Sequence, residues 1–394
     1  MGNAVGPVCI SPKVGPRDSH FAILKRRSHC RPAIDLVKYR FAYTEVFLSM
    51  NEAFIEKLES HTETQWLEAI ESLLPSIHEV DRNAVQIWFR FFPLDLVRYL
   101  ESAEDIETAM KGINLEGDFG LLDKIDTSHK FLYGHRYWPH VKQAVQARAS
   151  SGESFSDLRS ETSNLANAVA KEAKTDASLT TAIAAIGLMT LVQAGYEDVK
   201  NAAGIAEKPT GLMAKSPDTI VAERAKDDSQ GVFGFLKTVD KKYSVAFDAF
   251  AYDGTFKVVN EEEIASASQK DRSREWQSFD SRCWEGPVPI ECTSASCGTC
   301  WVGVTGGQEK LSEPSVRERK QMKVFGYNQP DESKPFMRLA CQAKATGNVS
   351  LVIPPWNAVF GKKVRGNVED AELEPATTSA RKLRETIATA VSGD

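Results

Sequence analysis

Cys292, Cys297, Cys300 and Cys341 are the residues whose types and spacing point most directly to chemistry: a close C-x4-C-x2-C pattern followed by a distant fourth cysteine. This is a ligand spacing used for 2Fe–2S clusters. Two irons bridged by two sulfides need four thiolates arriving from two sides. A short loop supplies three only by wrapping closely, which demands small side chains and backbone N–H groups turned toward the sulfurs. The intervening residues Thr293, Ser294, Ala295, Ser296, Gly298 and Thr299 are all small. Structural zinc sites more often pair their cysteines in two short C-x2-C units. A thioredoxin-type C-x-x-C at Cys297 and Cys300 lacks the surrounding βαβ pattern. The ligand loop contains no histidine, which removes a Rieske centre. The remaining cysteines, Cys9, Cys30 and Cys283, make an odd total of seven, which argues against a disulfide framework. Cys283 is expected to be a small buried filler, and Cys9 and Cys30 carry no expected function.

His129, His135 and His140 form a second concentration of potential ligands within Ser128–His140. A metal or haem site is one reading. The other is an aromatic loop between two helices, with Pro139 opening the second. The histidine spacings do not place the three imidazoles on one helical face, which favours the loop.

The elements that must position these residues change in kind along the chain. Residues 1–33 show no periodicity and read as a flexible arm. Residues 34–204 read as a helical domain. Trp66, Leu67, Ile70, Leu73, Leu74 and Ile77 form one apolar stripe, opened by a capping box from Thr62 to Gln65. Val85, Trp88, Phe89, Phe92, Leu96 and Leu100 form a second, divided at Pro93. Further helices are expected over 141–149, 155–174 and 179–194, the last stopping at Gly195. Residues 205–239, with Pro209, Gly211 and Pro217, read as a linker holding one short helix. Strands follow at Tyr243–Phe247, Phe256–Val259, Trp301–Val304 and Asn348–Ile353, with a hairpin turn expected at Asp253-Gly254. Residues 358–394 form a tail, with Leu383, Ile387 and Val391 on one helical face.

The segments Ile290-Glu291-Cys292, Ser296-Cys297-Gly298-Thr299-Cys300, Leu311-Ser312-Glu313 and Arg338-Leu339-Ala340-Cys341-Gln342 resemble the 2Fe–2S ferredoxin family. The resemblance covers about residues 240–357 and implies a β-grasp fold, a mixed sheet packed on a helix within Ala265–Phe279. It also implies that Cys292 and Cys297 hold the outer iron, and Cys300 and Cys341 the inner one. The gap from Cys300 to Cys341 is closer to the adrenodoxin-like branch than to plant photosynthetic ferredoxins. That branch docks partners around the region corresponding to Val316–Pro335, but its acidic surface is replaced here by mixed charge, so the partner is not carried over.

The expected fold is multidomain, an all-α N-terminal domain followed by an α+β β-grasp ferredoxin domain. The expected function is one-electron transfer through a 2Fe–2S cluster, with the helical domain docking to a redox partner protein. The alternative is a fixed electron-relay subunit of a larger oxidoreductase or membrane-associated redox complex. A third reading makes the helical domain an enzyme fed by its own ferredoxin. No G-x-G-x-x-G opening a helix and no Walker sequence is present, so a non-catalytic carrier is favoured over a self-contained reductase. Basic and acidic residues, 48 and 54 in number, are too evenly mixed to predict nucleic-acid binding. The most apolar run, Leu179–Val192, contains three threonines and reads as a buried helix rather than a membrane span. The basic Lys25-Arg26-Arg27 is followed by no apolar targeting core. A cytoplasmic location is expected.

Overall fold

The structure, a computed structural model, describes residues 52–226 and 241–366 and the single residue Ile387. The N-terminal arm with Cys9 and Cys30 lies outside the described residues. So does the tail helix apart from Ile387, which is helical and exposed.

The helical region begins with α1 (Glu52–Glu59) and α2 (Glu63–Leu73). Thr62 and Gln65 form the reciprocal capping box at the start of α2, and Trp66, Ile70 and Leu73 face inward from it. Pro93 separates α3 (Glu79–Phe91) from α4 (Leu94–Glu101), because it supplies no N–H to continue a helix. After α5 (Ile106–Gly112) and the short strand β1 (Glu116–Gly117) come the histidine loop and α6 (Trp138–Ser150), with Pro139 in its first turn. Then follow α7 (Leu158–Ala173), α8 (Thr181–Ala194) and α9 (Tyr196–Asn201). Every residue of α8 is buried, as an all-round apolar helix requires, and Gly195 ends it with φ +84°. Among the described residues no helix is long and apolar enough to cross a membrane.

Of the expected linker, residues 205–226 are described. Its helix α10 (Pro217–Ala225) buries Ile220 completely against Val80, Tyr133 and Leu179.

The second region is built on β2 (Lys242–Ala249), β3 (Asp253–Val259), β5 (Trp301–Gly306), β6 (Met337–Leu339) and β8 (Val349–Ile353). They lie in the order β3-β2-β8-β5-β6. Among the described strands, only the β2–β8 pairing is parallel. The short strands β4 (Glu262–Glu263) and β7 (Lys344–Ala345) pair separately. Asp253 and Gly254 do not form the expected turn: they lie within β3, opposite Asp248 and Phe247. The Phe247 ring covers Gly254 where a Cβ would sit, 2.9 Å away, so this glycine makes room for an aromatic instead of reversing the chain. The helix expected over 265–279 reduces to α11 (Ile264–Ser268) and a single turn at Trp276–Ser278. The longer helix of this region is α12 (Val316–Phe325), capped by Ser315 and ended by Gly326.

Helices and sheet share one continuous core. Ile87 of α3 fills the space beside Gly303 of β5, within 2.5 Å of where a Cβ would lie. Phe91 meets Trp301 edge-on at 5.2 Å, and the Trp356 indole donates to Phe91 O at 2.7 Å. Beyond β8 the chain returns to the helices through β9 (Trp356–Asn357), which pairs with β1. Arg365 then closes on Glu63 and Asp95 at 2.7 and 2.9 Å.

Candidate iron-sulfur site

The sequence places three of the cysteines on a loop with β5 as its base. Cys300 directly precedes β5, and Cys341 follows β6, the neighbour of β5 in the sheet. The Ala340 N–H donates to Cys300 O at 2.9 Å, holding the two segments side by side. Loop and sheet edge therefore present sulfurs to a common region.

The sulfurs come together in pairs. Cys292 Sγ and Cys297 Sγ are 3.0 Å apart. Cys300 and Cys341 are each other's dominant electrostatic neighbour, while Cys297 acts on Cys300 and Cys292 on Cys341 across the pairs. Among the described residues no three His, Cys, Asp or Glu side chains converge as ligands of a single metal ion. Cys292, Cys300 and Cys341 are buried and Cys297 is half-buried.

The loop conformation follows from its composition. Ala295 has φ +58° and Gly298 φ +76°, left-handed values that turn successive peptide N–H groups in one direction. The Gly298 position cannot hold a side chain cheaply, since a Cβ would lie 3.0 Å from the Phe325 ring. Ser296 N–H donates to Cys292 Sγ at 3.4 Å. The Cys297 thiol pulls the Cys292 pKa down, assisted by N–H groups of Ser294, Ser296 and Cys297. Cys341 is pulled down by Cys300, then by the Gln342 side chain and the Ala295 N–H. Their partners, Cys297 and Cys300, move up through the same contacts and through burial. A metal takes all four sulfurs as thiolates, so its binding releases the protons the thiols hold.

A supporting shell went unread in the sequence. Glu318 of α12 and Arg338 of β6 form a buried ion pair at 2.8 and 3.0 Å. Glu318 also accepts from the Leu339 N–H at 2.9 Å, and Arg338 donates to Ser312 O at 2.7 Å. These bonds fix the approach to Cys341 and tie together the Leu311-Ser312-Glu313 and Arg338-Leu339-Ala340-Cys341 segments. The available signal was Glu318 alone among the bases of Arg317-Glu318-Arg319-Lys320. Behind the loop, Tyr327 stacks on Trp301 at 3.8 Å, and its hydroxyl lies 3.1 Å from Gly298 O. Cys283 is buried outside the group, 3.2 Å from Pro287 O, and burial pushes its pKa up to about 12.

The histidines do not assemble as a triad. His129 and His135 face each other, Nδ1 to Nδ1 at 2.8 Å, while His140 points elsewhere, 3.3 Å from Glu172. His135 Nε2 accepts from the Glu207 N–H at 3.0 Å, so its Nδ1 carries the proton shared with His129. Burial lowers both pKa values, that of His135 to about 4, and keeps the imidazoles neutral.

Four thiols in two pairs, reached by inward N–H groups and enclosed by small residues, fit a diiron cluster taking two thiolates per iron. Residues 280–346 match the family model of the 2Fe-2S iron-sulfur cluster binding domain, and the C-terminal region of the chain thus carries such a domain. The helical region has no family match. No curated protein and no solved structure matches the chain.

Proposed function

We propose that this chain is a one-electron carrier whose 2Fe–2S cluster is held by Cys292 and Cys297 on one iron and Cys300 and Cys341 on the other. The observation that carries the reading is the meeting of these sulfurs in two pairs within a family-matched domain. When bound, such a group accepts and returns a single electron at low potential. The N–H groups of Ala295 and Ser296 and the Gln342 amide offset the negative charge of the thiolates. Phe325, Trp301 and Tyr327 wall off the inner side from water. The order β3-β2-β8-β5-β6 with a parallel β2–β8 pair and the cysteine loop before β5 supports a β-grasp ferredoxin domain.

The same reading assigns the contact edge for a redox partner protein to the outer side of the loop. Thr293 is exposed there and Cys297 is the most accessible of the four thiols. The first turn of α12 lies alongside, with Arg317 reaching Ser296 Oγ at 3.4 Å and Val316 85% exposed. The helical layer serves as a rigid platform for docking, since Gly303, Phe91 and Trp301 interlock the two regions. That rigid union also suits a fixed relay subunit. Stoichiometric co-purification with a larger complex favours the relay, and recovery of the chain alone favours the carrier.

An anaerobic redox titration of the full chain, followed by electron paramagnetic resonance, tests the central claim. The expected result is a one-electron couple near about −400 mV with about two irons per chain. A midpoint above about 0 mV, or a two-electron couple, overturns it.

A further inference from the structure

Away from the cysteines, a cleft of about 330 Å3 opens between the histidine loop, the segment 207–213 and the strands β2, β5 and β8. Two guanidinium groups are brought to one residue in its wall. Arg136 donates to Met213 O at 2.8 Å, and Arg224 reaches Met213 Sδ at 3.7 Å. Their other bonds also go to neutral groups: Arg136 donates to Tyr133 O and lies over the Tyr133 ring, and Arg224 donates to Val80 O. Neither forms an ion pair among the described residues. Arg224 Nε is closed off from solvent and has no hydrogen-bond partner there. The methylenes of Arg224 rest on Gly306, where a Cβ would lie 2.7 Å from them, so the strand has left room for this side chain.

Asp81 acts on the Arg224 charge but makes no hydrogen bond with it, and among the described residues neither guanidinium has a charge-assisted partner, which an oxyanion in the cleft would supply. A planar or tetrahedral oxyanion matches their donor forks. The same cleft carries Asp248 and Asp253, which face each other across β2 and β3, and Glu207. A hydroxyl or amino group on the same molecule can bond to those carboxylates, adding to the hold of the arginines on its acid group. The volume is that of a small-metabolite site.

We infer that this cleft binds a small organic acid, its carboxylate or phosphate group held by Arg136 and Arg224 and a hydroxyl or amino group turned to Asp248. The site stands independently of the cluster, and its test does not use electron transfer.

Titration calorimetry on the full, iron-loaded chain at constant ionic strength, with malonate and inorganic phosphate as probes and chloride as control, tests the site. At least one probe saturates at one site per chain with a Kd of about 1 mM, and the tighter of the two distinguishes carboxylate from phosphate. Arg136→Gln and Arg224→Gln each weaken it about tenfold or more, by removing a charge-assisted bond. Lys208→Glu, an exposed side chain at the rim that tests the site without touching the core, weakens it about threefold through repulsion. Failure of both probes to saturate by about 100 mM, a hundredfold above that Kd, overturns the inference. So does binding that is unchanged in Lys208→Glu and in whichever arginine variants fold.

Discussion

The cysteine loop and the histidine loop both present several ligand-type side chains on a short stretch, and each is pinned by a buried carboxylate, yet they reach opposite outcomes. In the cysteine loop small residues and left-handed turns point N–H groups at sulfur. In the histidine loop large aromatics fill the space, and Trp138 packs 4.1 Å from the His129 ring. The carboxylates differ in the same sense. Glu318 meets the full fork of Arg338 and one N–H group. Asp81 receives only the N–H groups of Tyr133 and Gly134, at 2.7 and 2.8 Å, and burial lifts its pKa to about 6. Ligand-type residues become a ligand set only where the surrounding backbone is arranged to stabilise their charged form.

The largest expected effect separates the two loops by iron content. Cys300→Ser or Cys341→Ser is expected to abolish the visible chromophore and reduce bound iron at least about tenfold, since a hydroxyl does not replace a thiolate as a soft ligand. His129→Gln leaves both unchanged. Iron analysis and absorbance decide it, and iron loss in the histidine variant alone would reverse the comparison.

Next comes the supporting carboxylate. Glu318→Ala strands the buried Arg338 guanidinium and the Leu339 N–H, at a cost of about 3–5 kcal/mol. Denaturant unfolding measures the loss, and iron is expected to leave this variant first because Cys341 follows directly on the freed strand.

The histidine loop supplies the smallest test, through pH. The folded His135 pKa of about 4 lies below its ordinary 6.5, so the unfolded chain binds the extra proton. Stability is therefore complete above pH 6.5 and falls as pH drops toward 4, by about 3 kcal/mol for this residue alone at about 1.4 kcal/mol per unit. His129 shifts in the same direction. Unfolding midpoints across that range are expected to flatten in His135→Gln, and an equally steep fall in the variant would assign the acid sensitivity elsewhere.

Local signals carried much of the molecule into the sequence. Thr62, Pro93, Pro139 and Gly195 set helix boundaries because caps and breakers act within a turn. The C-x4-C-x2-C spacing was legible because loop closure around a cluster constrains neighbours in sequence. What escaped depends on distant partners. Gly254 looks like a turn until Phe247 is placed over it, and Gly303 has no evident purpose until Ile87 arrives from α3. The His129–His135 pairing and the Glu318–Arg338 bond are likewise tertiary facts with no local period.

The notch at Gly303 reaches beyond packing. A fragment severed near residue 240 would carry Trp301 and Trp356 with their covering side stripped away, a greasy scar where Ile87 and Phe91 had been. Such a piece is poised to clump before it can enclose metal, so the iron-sulfur domain depends for its cover on helices that never touch a sulfur.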